Sequence, residues 1–380
     1  MMTEISADLG RVLVIGAGIS GLTAAAAFGQ RGWRVDVIER KPVIDDGGGV
    51  GLTLVGNAMR ALDDIGVAER CVEAGVPADC INMMRADGAL LVENPLPRLG
   101  GPQWPGGTGI RRATFHSILL DAAIPVTNSL RCGLTASEWF EEEDGIRVTF
   151  SDGSHALYDL VIGADGLNSS TRAVLLPDVK AASSGQACWR VAVPRPEGLD
   201  CTHLYLGGKH GVAGVCPVSE DLAYMYIVQA HDGERQNPER LHLIFAEEAE
   251  GYGGFIAQLL PQVTDPARVS FSPLPALIAP KPWGRGRIIL IGDAAHANPP
   301  VLAQGAAMGI EDAVVLAQEA SATPTDIPAV LLRFMERRFD RAKHVVEASL
   351  RLARAEVEHR TDLDVPAIMR ETAVKLSHPI

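Results

Sequence analysis

The apolar run from Arg11 to Ile15 is followed by an alanine-rich stretch from Ile19 to Arg31, with Gly16, Gly18 and Gly21 around the junction. A short apolar run is strand-like and an alanine-rich stretch favours helix, so the glycines occupy a strand-to-helix turn. Val35 to Glu39 adds a second strand, and this β-α-β order opens a dinucleotide-binding fold. Proline and glycine crowd the stretch from Pro95 to Gly109, which predicts a loop crossing between domains, and Arg112 to Ala123 predicts a helix. Val148 and Phe150 alternate with polar neighbours, Ser151-Asp152-Gly153-Ser154 is a turn, and Leu157 to Ile162 predicts a hairpin return into a buried strand.

That strand ends in Gly163-Ala164-Asp165-Gly166. Short β-rich runs recur from Ala187 to Val228, at Cys188 to Val193, Val212 to Cys216 and Leu222 to Val228, predicting the sheet of a second domain. Arg287 to Ile291 returns to the buried parallel type. A long helix from about Pro328 to His359 keeps Leu331, Phe334, Val345 and Leu352 at helical spacing. The fold class is α/β: a Rossmann-like domain, an interleaved β-sheet domain and a long C-terminal helix.

At 380 residues the chain exceeds the usual single-core size, in keeping with two connected domains. No apolar run is long enough to span a bilayer, so a soluble protein without a membrane partner is expected. Met1 to Gly10 carries Glu4 and Asp8 without a basic region and apolar stretch, so no signal peptide is expected and the cytoplasm is the expected compartment. A formal charge of −13 argues against nucleic acid, which needs clustered Lys and Arg. Cys71, Cys80, Cys132, Cys188, Cys201 and Cys216 lack a CxxC spacing and fit reduced thiols. The ten histidines lack HxxxH and HExxH spacing, so no metal site is expected and the chemistry falls to an organic cofactor.

Three motifs carry that chemistry. In Gly16-Ala17-Gly18-Ile19-Ser20-Gly21 the first glycine permits the turn, the second lets the backbone approach a pyrophosphate, and the third lets the helix pack on the strand. Glu39 ends the next strand at the spacing of an acid that accepts hydrogen bonds from an adenosine ribose. The second motif runs from Asp159 to Arg172 around Asp165-Gly166; alone, it reads equally as a turn followed by a surface charge. In the third, Gly286 to His296, a buried strand delivers Asp293 at its carboxyl end, where ligands bind in open α/β sheets. It continues through Asn298 to Ala313, whose small residues expose backbone N–H groups at a helix start, a nest for an electron-rich ring edge.

Together these motifs resemble the flavoprotein aromatic hydroxylases, the single-component FAD-dependent monooxygenases that include p-hydroxybenzoate hydroxylase. The resemblance covers roughly Val12 to Arg172 and Gly286 to Asp312. It implies that Gly16, Gly18, Ser20, Gly21, Glu39 and Arg40 hold the ADP part of FAD. It places Thr53, in Gly51 to Asn57, near the flavin, Arg112 on FAD, Leu134 against the adenine and Asp293 at the ribitol or phosphates. Ala303, Gln304, Gly305, Ala306 and Ala307 would present backbone to the pyrimidine end of the isoalloxazine, although glycine is commoner at the position of Ala303. Asp165 and Gly166 match a motif associated with FAD and the pyridine nucleotide, with Arg172 as its basic partner; His296 has a structural role beside FAD. The implied domains are an FAD-binding part at 1–80, 105–180 and 281–327, a substrate part at 81–104 and 181–280, and a C-terminal helical segment at 328–380.

The resemblance implies NADH or NADPH as reductant, dioxygen as co-substrate, and transfer of oxygen from a flavin hydroperoxide to a small aromatic or N-heterocyclic substrate, by a monomer or homodimer. Such a ring must be electron-rich, so the protein must polarise a substrate hydroxyl or N–H. Tyr224 and Tyr226 share a strand face and are the candidate contacts, with Tyr224 and the nearby His210 as catalytic groups and Tyr226 and Pro300 as substrate-binding ones. The Gly-Lys-His and Pro-Val-Ser segments resemble bacterial urate and pyridine-ring hydroxylases. The rival readings are an FAD-dependent dehydrogenase, halogenase or ring-cleaving oxygenase, and a non-catalytic binding protein of the same fold. A hydrolase is disfavoured because Ser20 lacks the GxSxG elbow.

Overall fold

Val12, Leu13 and Val14 are fully buried along the strand Arg11–Ile15, because both faces of the strand are covered. The computed structural model describes residues 9–44, 49–358, 360 and 362–380, so Glu4, Asp8 and His359 lie outside the described residues. In it the strand is central in a six-stranded sheet. Leu160–Gly163 and Arg34–Glu39 flank it in parallel, and Ile288–Leu290 and Ser129–Cys132 extend the sheet outward. Parallel strands end at one edge, so the turns after Ile15, Glu39, Gly163 and Leu290 gather there. The helices Ile19–Gln30 and Gly305–Ala322 pack together over this sheet.

An eight-stranded sheet forms the second layer. Ala182–Pro194 pairs antiparallel with Leu222–Ala230 and with Val269–Ile278, and Leu222–Ala230 pairs with Val212–Pro217. On one face Trp189, Val191, Val215, Met225 and Ile227 pack with Phe245 and Ile256 from the helices Leu241–Glu248 and Gly254–Leu259. Alternation therefore turns Arg190, Cys216, Tyr224 and Tyr226 to the opposite face. A three-stranded sheet of Gly51–Val55, Gly107–Arg111 and Val76–Ala78 meets that face.

Several elements differ from the sequence expectation. The stretch expected to be loop from Pro95 to Gly109 ends in the strand Gly107–Arg111, paired on both sides. Its glycines serve close approach: a Cβ on Gly109 would lie 2.1 Å from Pro217 O. The expected return from Leu157 to Ile162 divides at Asp159, whose carboxylate accepts from Arg11 N–H at 2.7 Å, into His155–Tyr158 and Leu160–Gly163 in different sheets. The long helix spans Ile327–Val357, capped by Asp326, which accepts from Ala329 N–H at 3.1 Å. Within the expected C-terminal helical segment 328–380 a separate helix, Val365–Ser377, follows the long one. No helix among the described residues is long and apolar enough to cross a membrane.

Candidate functional site

Two of the three glycines of the first turn answer to a close contact, and the third leaves space open. Gly16 has φ +106°, and a Cβ there would lie 2.5 Å from Ala164 O. A Cβ on Gly21 would lie 1.9 Å from Gly16 O, so any side chain would push the helix off the strand. A Cβ on Gly18 would meet nothing within 4 Å, which leaves the turn open to a cleft. Such an open, N–H-rich turn at a helix start suits a pyrophosphate. Beside it, the Glu39 carboxylate accepts from Ala17 N–H at 2.9 Å and Lys41 N–H at 3.0 Å. Each oxygen retains a lone pair able to accept from a ribose hydroxyl.

The cleft is lined by Gly16, Gly18, Glu39, Arg40, Arg112, Leu134 and Asp165, which the sequence named, and by His116, which it missed. Buried His116 lies four residues beyond Arg112 on one helix face, with Nε2 2.8 Å from Ala17 O. Ser20 is not in that lining: its hydroxyl sits where Cβ atoms on Gly292 and Gly309 would approach to 2.3 and 2.1 Å. Its side chain sets the close crossing of two helices.

The Asp165 carboxylate accepts from the hydroxyls of Ser169, Ser170 and Thr171 and from Thr171 N–H. Four donors fill a carboxylate's acceptor capacity, so this side chain organises its own turn and offers the cleft its backbone. Arg172 is buried, not a surface charge, and donates to Leu167 O at 2.6 Å, Ala294 O at 3.0 Å and Val179 O at 3.3 Å. It thereby ties the second motif to the third.

Gly292, at φ +58°, turns the chain so that Asp293 leaves the gathered strand ends. Among the described residues no hydrogen bond reaches the Asp293 carboxylate. The side chain reaches solvent, with protein packed densely around it. Burial raises its pKa above the usual carboxylate range, with His296 and Arg112 pulling it back. A carboxylate held this way is poised to accept from a polyol or other donor.

The third motif continues to Ala303, whose φ of +52° is the left-handed conformation that favours glycine. This accounts for glycine being commoner at that position, and Ala303 holds the same turn at a cost of about 1–2 kcal/mol. Gln304 exchanges amide hydrogen bonds with Asn57, at 3.0 and 3.1 Å, so its side chain points inward. Gly305, Ala306 and Ala307 form the first turn of the helix Gly305–Ala322, whose N–H groups have no intrahelical acceptor. Exposed Pro300 opens the preceding short 3₁₀ turn.

Beneath this loop lies a buried ion network that the sequence reading missed. His296 Nε2 is 2.6 Å from Asp312, Arg338 bridges Asp312 at 2.7 Å and Glu311 at 2.6 Å, and Arg341 grips Glu311 at 2.7 and 2.8 Å. Burial works to raise the Asp312 pKa, but His296 and Arg338 prevail and hold it down at about 2.

On the facing sheet, Tyr224 stands directly opposite Cys216. Thr53 Oγ1 is 3.7 Å from the Cys216 sulfur, so the strand Gly51–Val55, expected near the flavin, touches the eight-stranded sheet. A Cβ on Gly51 would lie 3.1 Å from the Tyr224 ring. Tyr226 lies opposite Arg190 and Gly214, its ring 5.6 Å from that of Tyr224. Burial raises the Tyr224 pKa well above its ordinary value, so the phenol stays protonated. His210 is not brought beside Tyr224. It contacts the Glu248 carboxylate and accepts at its carbonyl from Tyr252 hydroxyl at 3.0 Å, both from the helical cover of the other face. Glu356, from the long helix, instead nears Tyr226 and accepts from Gln186 at 2.7 Å.

The pieces fit FAD: an open glycine turn, a ribose acid, an unsatisfied carboxylate and a row of helix-start N–H groups. Residues 10–349 match the family described as the FAD binding domain. The chain is 36% identical over 320 residues to the 2-heptyl-3-hydroxy-4(1H)-quinolone synthase of Pseudomonas aeruginosa, covering 81% of this chain and 80% of that protein. It is 29% identical over 357 residues to the 6-hydroxynicotinate 3-monooxygenase of Bordetella bronchiseptica, covering 89% and 90%. Its fold is that of Klebsiella pneumoniae HpxO complexed with FAD and uric acid, with a TM-score of 0.85, 24% identity and 97% of each chain covered.

Proposed function

The chain belongs to the FAD-binding flavoprotein aromatic hydroxylases, and from that membership we propose an FAD-dependent monooxygenase that uses NADH or NADPH and dioxygen to hydroxylate a small aromatic or N-heterocyclic ring. The observation that carries the reading is the close approach of the Tyr224 ring to Gly51, which brings the second sheet against the strand of Thr53, next to Arg112 of the nucleotide cleft. When bound, FAD supplies the redox chemistry: it accepts a hydride from the pyridine nucleotide and, once reduced, activates dioxygen.

The protein's part is position and polarity. Gly16, Gly18, Gly21 and Glu39 hold the ADP end, with Arg40 and Leu134 alongside. Arg112 and Asp293 hold the middle of the cofactor. The backbone of Ala303 to Ala307, fixed through Gln304, faces the ring. Ser20 and Asp165 contribute through the turns they shape. Tyr224, kept protonated by burial, orients the substrate by donating to an oxygen or ring nitrogen; it does not act as a base. Arg190, Tyr226 and Glu356 form the remaining polar wall, with Pro300 at the loop side.

The names of relatives that act on a quinolone and a hydroxynicotinate support a ring bearing a hydroxyl or ring N–H group. The chain's single Gly-x-Gly-x-x-Gly turn is taken by FAD, so the pyridine nucleotide docks without a Rossmann site of its own. The supply of NAD(P)H and the reduced thiols are consistent with the cytoplasm. The test is NADH and NADPH oxidation by FAD-loaded protein against hydroxylated aromatic acids, hydroxypyridines and 4-quinolones. A member of the panel should accelerate oxidation and be recovered hydroxylated. Accelerated oxidation with a desaturated product would mark a dehydrogenase instead.

A further inference from the structure

Two parallel strands of the eight-stranded sheet, Cys80–Arg85 and Thr202–Leu206, carry a ladder of paired side chains. Ile81 stands opposite Thr202, Asn82 opposite His203 and Met84 opposite Tyr205. Because side chains alternate, Cys80, Asn82 and Met84 share one face, as do Cys201, His203 and Tyr205. The Asn82–His203 rung is closed by a 3.1 Å contact between Nδ2 and Nε2. One rung earlier the same register sets Cys80 opposite Cys201, side by side on adjacent strands. Paired strands lie about 4.8 Å apart, within the Cα separation of about 4.4–6.8 Å that a disulfide accepts. Cys201 is buried, whereas Cys80 is partly exposed, so Cys80 is the sulfur that meets a dissolved oxidant. Cys216 does not compete: it lies on the other face of the sheet, where Thr202 hydroxyl donates to it at 3.2 Å.

We propose that Cys80 and Cys201 form a peroxide-responsive dithiol, in which Cys80 is oxidised first and Cys201 resolves it to a disulfide. The Cys80 sulfur attacks one oxygen of hydrogen peroxide and the O–O bond breaks. The departing oxygen leaves as water, having gained the thiol proton, and Cys80 carries a sulfenic acid. Peroxide is reduced by two electrons and the sulfur oxidised by two. The Cys201 sulfur then attacks the Cys80 sulfur, the S–O bond breaks, and the hydroxyl leaves with the Cys201 proton as a second water. Burial, with Cys80 beside it, pushes the Cys201 thiol up to about 12, so it holds its proton until that leaving group is adjacent. The inference stands apart from the monooxygenase reading, since the oxidant can be supplied in solution.

The experiment treats the FAD-loaded protein with a small excess of hydrogen peroxide, alkylates the remaining thiols and maps peptides by mass spectrometry before and after dithiothreitol. The expected result is a cross-linked Cys80–Cys201 peptide pair, two hydrogens lighter than the free thiols and reversed by the reductant. In Cys201→Ser, Cys80 should advance to sulfinic acid. If that variant does not fold, Cys80→Ser serves in its place, and its Cys201 should stay alkylatable at the same peroxide dose. Recovery from the parent protein of both thiols alkylated, of Cys80 as sulfinic acid beside free Cys201, or of either cysteine joined elsewhere overturns the proposal.

Discussion

Asn57 and Gln304, 247 positions apart, exchange a reciprocal pair of amide hydrogen bonds at 3.0 and 3.1 Å. The pair locks the start of the helix Gly56–Asp64, which follows the strand Gly51–Val55, to the start of the helix Gly305–Ala322. Asn57 also donates to Glu311 at 3.1 Å, which links the loop to the buried ion network. Gln304→Ala leaves buried Asn57 short of a partner, which costs about 1–3 kcal/mol. The melting temperature should fall and FAD should dissociate more readily, both read by thermal scans and flavin titration. Unchanged FAD affinity in a destabilised variant would show that the loop acts on the fold alone.

Asp293 trades stability against cofactor binding. Its folded pKa is raised, so the folded state holds the proton more tightly and the carboxylate costs stability as pH rises through the unfolded value of 3.8 and above. Asp293→Asn should therefore raise the melting temperature of the FAD-free protein at neutral pH. In the same variant FAD affinity should fall, since a charged hydrogen bond is worth about 1.5–3 kcal/mol. A variant that melts lower without FAD contradicts the burial argument.

The opposite sign holds at Asp312. Its folded pKa of about 2 lies below the model-compound value of 3.8, so its contribution is complete above the unfolded value and is lost as pH falls between the two. The amount is about 2 kcal/mol. Asp312→Asn removes the buried carboxylate from His296, leaves Arg338 with Glu311 alone, and should cost about 3–5 kcal/mol at neutral pH. The stability gap between parent and variant, measured by denaturant titration, should narrow below pH 4. A gap that is constant down to pH 2 would contradict this account.

What the sequence made legible was local. Gly16, Gly18, Gly21 and Glu39 lie within one β-α-β unit, where spacing and chain direction specify the geometry. The strand Gly107–Arg111 was hidden because its glycines answer to Pro217, far along the chain. The strand Val269–Ile278 carries no clear strand signal because Pro273 and Pro275 interrupt its apolar run. Glu311, Arg338 and Arg341 form their network across two helices, so no local pattern announced it. Placing His210 beside Tyr224 rested on proximity in sequence; strand alternation and the contact with Glu248 put the two on different sides of the sheet.

Tyr224→Phe keeps the ring beside Gly51 and removes only the hydroxyl. FAD affinity should be unchanged. The fraction of NAD(P)H consumed that appears as hydroxylated product should fall, with the remainder recovered as hydrogen peroxide. Parent-like coupling and substrate affinity would make Tyr224 a packing residue.

The central claim is that one atom of dioxygen enters an aromatic ring at this site. Mass spectrometry of the product formed under ¹⁸O₂ by the FAD-loaded protein, with NAD(P)H and a ring that stimulates its oxidation, measures this directly. One ¹⁸O atom per hydroxylated product is the predicted result. Oxygen derived from water, two labelled atoms with ring opening, or a product without new oxygen would contradict it.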